Sequence, residues 1–160
     1  MFRNTLPNGL QIIQIGFFAS SRDACACGYR YAHVELRFSD YSVTSITRAP
    51  TGKVHIIPDK RMSNPNYCCF FELAVTSEVE ERMLSYAQST DAEFSVLAMY
   101  LNFLCCFTIR GRGTFCSAYV CRLLQLAGVC KDLDPDRTSP DHLFDALAAD
   151  DRVVCSRNWV

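Results

Sequence analysis

Two side chains in this sequence, Cys116 and His33, have the makings of a reactive pair. Cys116 lies in the stretch Gly111-Arg-Gly-Thr-Phe-Cys-Ser-Ala-Tyr-Val-Cys-Arg-Leu-Leu-Gln-Leu-Ala-Gly128, where a basic lead-in of small residues opens into an apolar run that closes on glycine. Counted from Cys116, the residues Val120, Leu123, Leu124 and Ala127 recur at the spacing of one helix face. Gly128 supplies the left-handed residue at which a helix stops. The thiol therefore belongs to the first turn of a helix, where peptide dipoles and unpaired N–H groups favour an anion. A thiolate there is a nucleophile; the alternative is a small apolar residue completing a buried stripe.

A nucleophilic sulfur needs a base to take its proton, and the base needs a group to orient it. The sequence offers His33, His55 and His142. Residues 31–38 alternate, with Val34, Leu36 and Phe38 facing one way and Tyr31, His33, Glu35 and Arg37 the other, which is the pattern of a half-buried strand. On this reading His33 points into a cleft or solvent, and a helix laid on that sheet could bring Cys116 to it. For the third member the first choice is His55, framed by Val54 and Ile56 on a later strand and able to face the same side. Asp40 in the adjoining turn and Ser45 on the returning strand compete with it. Glu35 shares the face of His33 but stands two positions further along, and His142 falls in the exposed first turn of the last helix. Oxyanion donors would be backbone N–H groups at the helix start, that of Cys116 included.

The elements that must hold these residues follow from periodicity and turn chemistry. Strands are expected at 10–18, 31–38, 43–47, 53–57 and 66–75, punctuated by Asn8-Gly9, Ser39–Ser42 and Ala49–Gly52, in the order of an antiparallel meander. Ser77-Glu-Val-Glu80 has the form of a capping box and opens a helix. Further helical runs cover 92–104 and 115–128, and Ser139-Pro140 reads as N-cap and first residue of a last helix through Leu143, Phe144 and Leu147. A final strand at 152–155 is placed to rejoin the sheet. Strands followed by helices make this an α+β domain, an antiparallel β-meander or half-barrel packed against three to four helices, with residues 1–160 forming a single domain.

Composition narrows the function. At 49% apolar and 21% charged residues the chain is globular, not disordered. Its formal net charge of −1, with cations scattered, gives no electrostatic case for nucleic acid as a partner. Ten cysteines could mean a disulfide scaffold, a zinc site or buried thiols. Several helical runs already supply a core, adjacent pairs such as Cys68-Cys69 point in different directions, and Cys25-Ala-Cys27 lacks a second half for zinc. The expectation is reduced thiols in a cytoplasmic protein with no metal and no cofactor. Residues 10–19 loosely imitate a signal peptide, but Gln11 and Gln14 interrupt the run and give it strand patterning. No apolar run reaches the length of a transmembrane segment.

The His33-Val-Glu-Leu36 strand, the meander, and Phe115-Cys-Ser-Ala-Tyr-Val120 ahead of a Leu-Leu-x-x-Ala-Gly helix end together resemble the permuted papain-like thiol hydrolases of the NlpC/P60 superfamily, in which the histidine precedes the cysteine. Thr138-Ser-Pro-Asp-His-Leu143 resembles the segment after the cysteine helix in bacterial and viral members. The resemblance runs from about residue 10 to 147. It implies a cysteine peptidase or amidase with Cys116 as nucleophile and His33 as base, acting on a peptide, amide or acyl substrate. The same superfamily implies two alternatives: an acyltransferase or phospholipase-type enzyme acting on lipid esters, and an inactive binding module on the same scaffold. Lecithin-retinol-acyltransferase-like members carry an Asn-Cys box where this chain has Phe115-Cys116, which favours amide chemistry. The strand after His33 offers only serines and threonines at the third polar position.

Overall fold

The computed structural model describes residues 4–19, 30–47, 52–58, 67–99 and 113–156. Five strands come first: β1 (Gln11–Ala19), β2 (Tyr31–Arg37), β3 (Ser42–Ile46), β4 (Val54–Pro58) and β5 (Tyr67–Val75). Helix α1 (Ser77–Ser89) follows, then the short strand β6 (Glu93–Phe94), a helical turn at 96–99, and β7 (Gly113–Thr114). Helix α2 (Cys116–Leu126), a 3-10 turn (Pro135–Arg137), helix α3 (Pro140–Ala148) and strand β8 (Val153–Ser156) complete the described chain. The architecture is α+β, an antiparallel six-stranded sheet in the order β4-β3-β2-β1-β5-β8 with helices packed on it, and β6 and β7 form a separate parallel pair. The expected run at 92–104 thus divides into β6 and the turn at 96–99, and its remainder lies outside the described residues.

The first four strands form the expected meander, but β5 does not continue it. It returns to the free edge of β1 and pairs with it from Gln11↔Val75 to Phe18↔Tyr67, while β8 covers β5. The composition of β1 suits a central position. Ile13, Ile15 and Phe17 are fully buried on one face. On the other, Gln14 donates to Glu72 at 2.6 Å and accepts from Arg37, residues that stand opposite it on its two neighbours. Helices pack on the apolar face through Met83 and Ala87 of α1, most of α2, and Leu143 and Leu147 of α3. There Phe17 meets Phe71, Tyr31 and Phe144 at ring separations of 5.2–5.8 Å. Such edge and tilted pairs add about 1 kcal/mol each beyond area burial.

Two local expectations need correction. Helix α2 is buried nearly all round, not along one stripe: Cys116 to Cys121, Leu123 and Leu124 are all inside. The sheet lies on one side of it, α1 brings Tyr86 to within 6.4 Å of Tyr119, and the 3-10 segment covers another flank through the Ser117 hydroxyl bonded to the Thr138 carbonyl. Its end is as expected: Gly128 adopts φ +78°, and the N–H groups of Gly128 and Val129 return to the carbonyls of Gln125 and Leu124. Glu80, in turn, is not a capping-box partner. Thr76 caps α1 by accepting from the Val79 N–H, while the Glu80 carboxylate turns inward and accepts from both the backbone N–H (2.6 Å) and the hydroxyl (2.8 Å) of Ser39. Ser39 is buried at the β2–β3 turn, so this bond ties α1 to the strand that carries His33. Glu80→Ala strands two buried donors, and we expect a loss of about 1–3 kcal/mol of unfolding free energy, with a smaller loss in Glu80→Gln, measured by urea denaturation.

Candidate active site

The start of α2 is shaped by what precedes it. A Cβ on Gly113 would stand 2.2 Å from the Ser95 Cβ, so a side chain there would break the crossing of the two segments. The Ser95 N–H donates to the Thr114 carbonyl at 2.8 Å and fixes the lead-in. Phe115 is the N-cap, in extended backbone and with no side-chain cap, so the first-turn N–H groups are left to other acceptors. Cys116 is the next residue, only 6% exposed.

The sheet meets it at a gap between β2 and β3. Their ladder is short, with Leu36 opposite Thr44 and Arg37 opposite Val43, whereas β3 and β4 pair at five positions. Beyond Leu36, the polar groups of Val34 turn toward β3 and find side chains instead of backbone. The Ser45 hydroxyl donates to the Val34 carbonyl at 3.0 Å, and the Val34 N–H is among the groups that lower the Cys116 thiol from its ordinary value. The sulfur also receives the Ser117 N–H, and it engages the His33 imidazole by side-chain hydrogen bond and by charge.

His33 is enclosed but not sealed, its side chain 22% exposed. The Phe18 ring lies 5.3 Å from it. Nε2 is 3.3 Å from Glu35 Oε1 and 3.3 Å from Ser45 Oγ. The Ser45 hydroxyl spends its hydrogen on Val34, and a carboxylate can only accept, so both groups call for a hydrogen on Nε2. That leaves Nδ1 as the nitrogen able to exchange a proton with the sulfur.

The charges are strongly coupled. Burial opposes the imidazolium, but the Cys116 sulfur, by charge and hydrogen bond, and then the Glu35 carboxylate outweigh it and raise His33 from 6.5 to about 10. Burial likewise opposes the thiolate, yet the charge and hydrogen bond of His33, with the Val34 and Ser117 N–H groups, bring Cys116 below its ordinary value of 9.0. Each group thus favours the charged form of the other. Cys121 and Cys130, near Arg122 and Arg152 respectively, are nonetheless pushed up by burial to about 11 and about 12.

Of the residues singled out in the sequence, the structure brings Cys116, His33 and Ser45 together. Glu35, given less weight because it stands two positions along the strand, is the carboxylate at the imidazole, and it is 2% exposed. The polar face of β2 is therefore covered at Glu35 and open at His33, not uniformly a cleft wall. His55 lies opposite Ser45 in the β3–β4 ladder, one strand further from the ring, with its carbonyl accepting from Thr44. Asp40 is occupied in its turn, accepting from the Ser42 N–H and hydroxyl. His142 is exposed in the first turn of α3. The entry to β2 is held from α3, where Asp141 accepts from the N–H groups of Arg30 (2.9 Å) and Tyr31 (3.0 Å). Arg30 in turn reaches Asp145 at 2.6 Å. Among the described residues no three His, Cys, Asp or Glu side chains converge as a metal site, and no helix is long and apolar enough to cross a membrane.

No protein-family model matches the chain, and no curated protein or solved structure matches it.

The electrostatics set a pH signature. The Cys116 anion persists below the ordinary thiol range, while the imidazolium partner is lost as pH rises through about 10. The rate of iodoacetamide alkylation at Cys116 should therefore inflect below 9.0, with Cys121 and Cys130 unlabelled near neutrality. In His33→Ala burial remains and the counter-charge is gone, so the inflection should move up past 9.0. A profile that does not move would show the sulfur to be indifferent to the ring.

Proposed function

We propose that this chain is a cysteine-dependent hydrolase of the permuted papain-like kind, of peptidase or amidase type. One arrangement carries the reading: the thiol at a helix start is coupled to an imidazole, which lowers it from its ordinary value, and the Nε2 of that ring lies 3.3 Å from a carboxylate. Buried structural cysteines behave in the opposite way, as Cys121 and Cys130 do. In this reading Cys116 is the nucleophile, His33 the acid and base, and Glu35, assisted by Ser45, the group that orients the ring.

The chemistry follows from the same charges. The Cys116 thiolate attacks an acyl carbon, and its negative charge passes to the carbonyl oxygen, which backbone N–H groups at the start of α2 can receive. The sulfur's charge is a principal reason that His33 holds its proton so firmly. Once the sulfur is bonded to carbon that charge is gone and burial, which favours the neutral ring, weighs more. The imidazolium thus becomes a better acid as the leaving amine needs a proton. The neutral ring then takes a proton from water, which attacks the thioester and frees the thiol. Amide substrates, whose nitrogen leaves only when protonated, make the fullest use of this sequence.

The test is turnover of a panel of peptide amides and phospholipid esters, with intact-protein mass spectrometry to trap the acyl-enzyme. Cys116→Ala should abolish turnover, a loss of at least about 1,000-fold. Glu35→Gln should lower kcat on the order of 10–100-fold with KM little changed, because it leaves the ring less well oriented. Ser45→Ala should cost less. An acyl-thioester formed from lipid esters alone would reassign the site to acyl transfer. An intact fold with no acyl-enzyme from either class would leave a binding module.

A further inference from the structure

A pair of cysteines that the proposed mechanism does not use lies on β5 and β8. Cys69 on β5 and Cys155 on β8 have their sulfur atoms 3.4 Å apart. The register explains the approach: Phe71 stands opposite Cys155 and Phe70 opposite Ser156, so Cys69 is the diagonal neighbour of Cys155 on the same face of the sheet. Cys69 is 7% exposed and Cys155 is exposed, so solvent reaches the pair from one side only. A disulfide requires the sulfurs to close to about 2.05 Å and the two Cα atoms to come within about 7 Å. Strand β8 can make that adjustment, because among the described strands it is the edge of the sheet and its one ladder is with β5.

We propose that Cys69 and Cys155 are a reversible disulfide site that fastens the edge strand β8 to the sheet, with glutathione disulfide as the oxidant. The exposure difference sets the order of events. The Cys155 thiolate attacks one sulfur of glutathione disulfide, forming a mixed disulfide and releasing a glutathione thiolate. The buried Cys69 thiol then gives up its proton and attacks the Cys155 sulfur, releasing the second glutathione. Two protein thiols lose two electrons and two protons, and one glutathione disulfide becomes two glutathione thiols. The bond closes a loop of some eighty-five residues that includes α1, α2 and α3, so it constrains the unfolded chain strongly. This inference does not rest on the proposed hydrolase activity.

The experiment uses the full chain carrying Cys116→Ala, so that the Cys116 thiol does not consume oxidant. The protein is equilibrated in glutathione buffers from reducing to oxidising, remaining thiols are alkylated, and non-reduced digests are mapped by mass spectrometry. The expected result is a cross-linked peptide joining Cys69 to Cys155 and a Tm about 5 °C or more higher, reversed by dithiothreitol. Cys155→Ser and Cys69→Ala should each lose both the cross-link and the Tm shift. A cross-link to Cys155 that survives Cys69→Ala overturns the pairing. So does Cys155 recovered only as its glutathione adduct, or oxidation that leaves Tm unchanged.

Discussion

Strands β2 and β3 part company after two register pairs, and the site depends on that separation. A continued ladder would have bonded the Val34 carbonyl and N–H to backbone. Instead the carbonyl holds a serine hydroxyl, and the N–H is among the groups that favour the Cys116 anion. The sulfur thus comes from the head of α2 and the imidazole from β2. Alone, each group would favour its neutral form, because burial opposes both charges. Held together, each supplies what makes the other's charged form tolerable, and Glu35 adds a second negative charge on the far side of the ring.

The surrounding structure serves to keep that gap in place. Glu80 clamps the β2–β3 turn from α1, Asp141 clamps the entry to β2 from α3, and the Thr44 hydroxyl shares a 2.8 Å hydrogen bond with Tyr119 of α2. The three bonds come from three different helices and converge on two adjacent strands. The helices therefore do more than cover the apolar face; they locate β2 and β3 relative to the head of α2.

Much of this frame was legible before any coordinates. Strict alternation marked β2 and placed His33 and Glu35 on one face, and Ser139-Pro140 marked the start of α3, where Ser139 does accept the His142 N–H. The 3.6-residue spacing ending at Gly128 marked α2 and put Cys116 in its first turn. What periodicity could not convey was partnership. The return of β5 to β1 depends on which strand edge is open, a property of the assembled sheet. The all-round burial of α2 depends on neighbours whose own sequences say nothing about it. Glu80 looked like a cap because the pattern is local, whereas its carboxylate is taken by a buried serine far upstream. Glu35 was visible on the right face but ranked below His55, because a one-dimensional reading cannot see that the ring turns along its own strand and not across two.

The Asp141 anchor has a further consequence, for assembly in time. The backbone of Arg30 and Tyr31 is fastened by a side chain some 110 positions later, so the strand bearing the imidazole gains its final support only after that side chain has been made. A nascent chain that has already displayed both sulfur and ring still lacks the side chain that fastens the start of β2. Support for this strand from α3 therefore comes later in synthesis than the strand itself and later than Cys116.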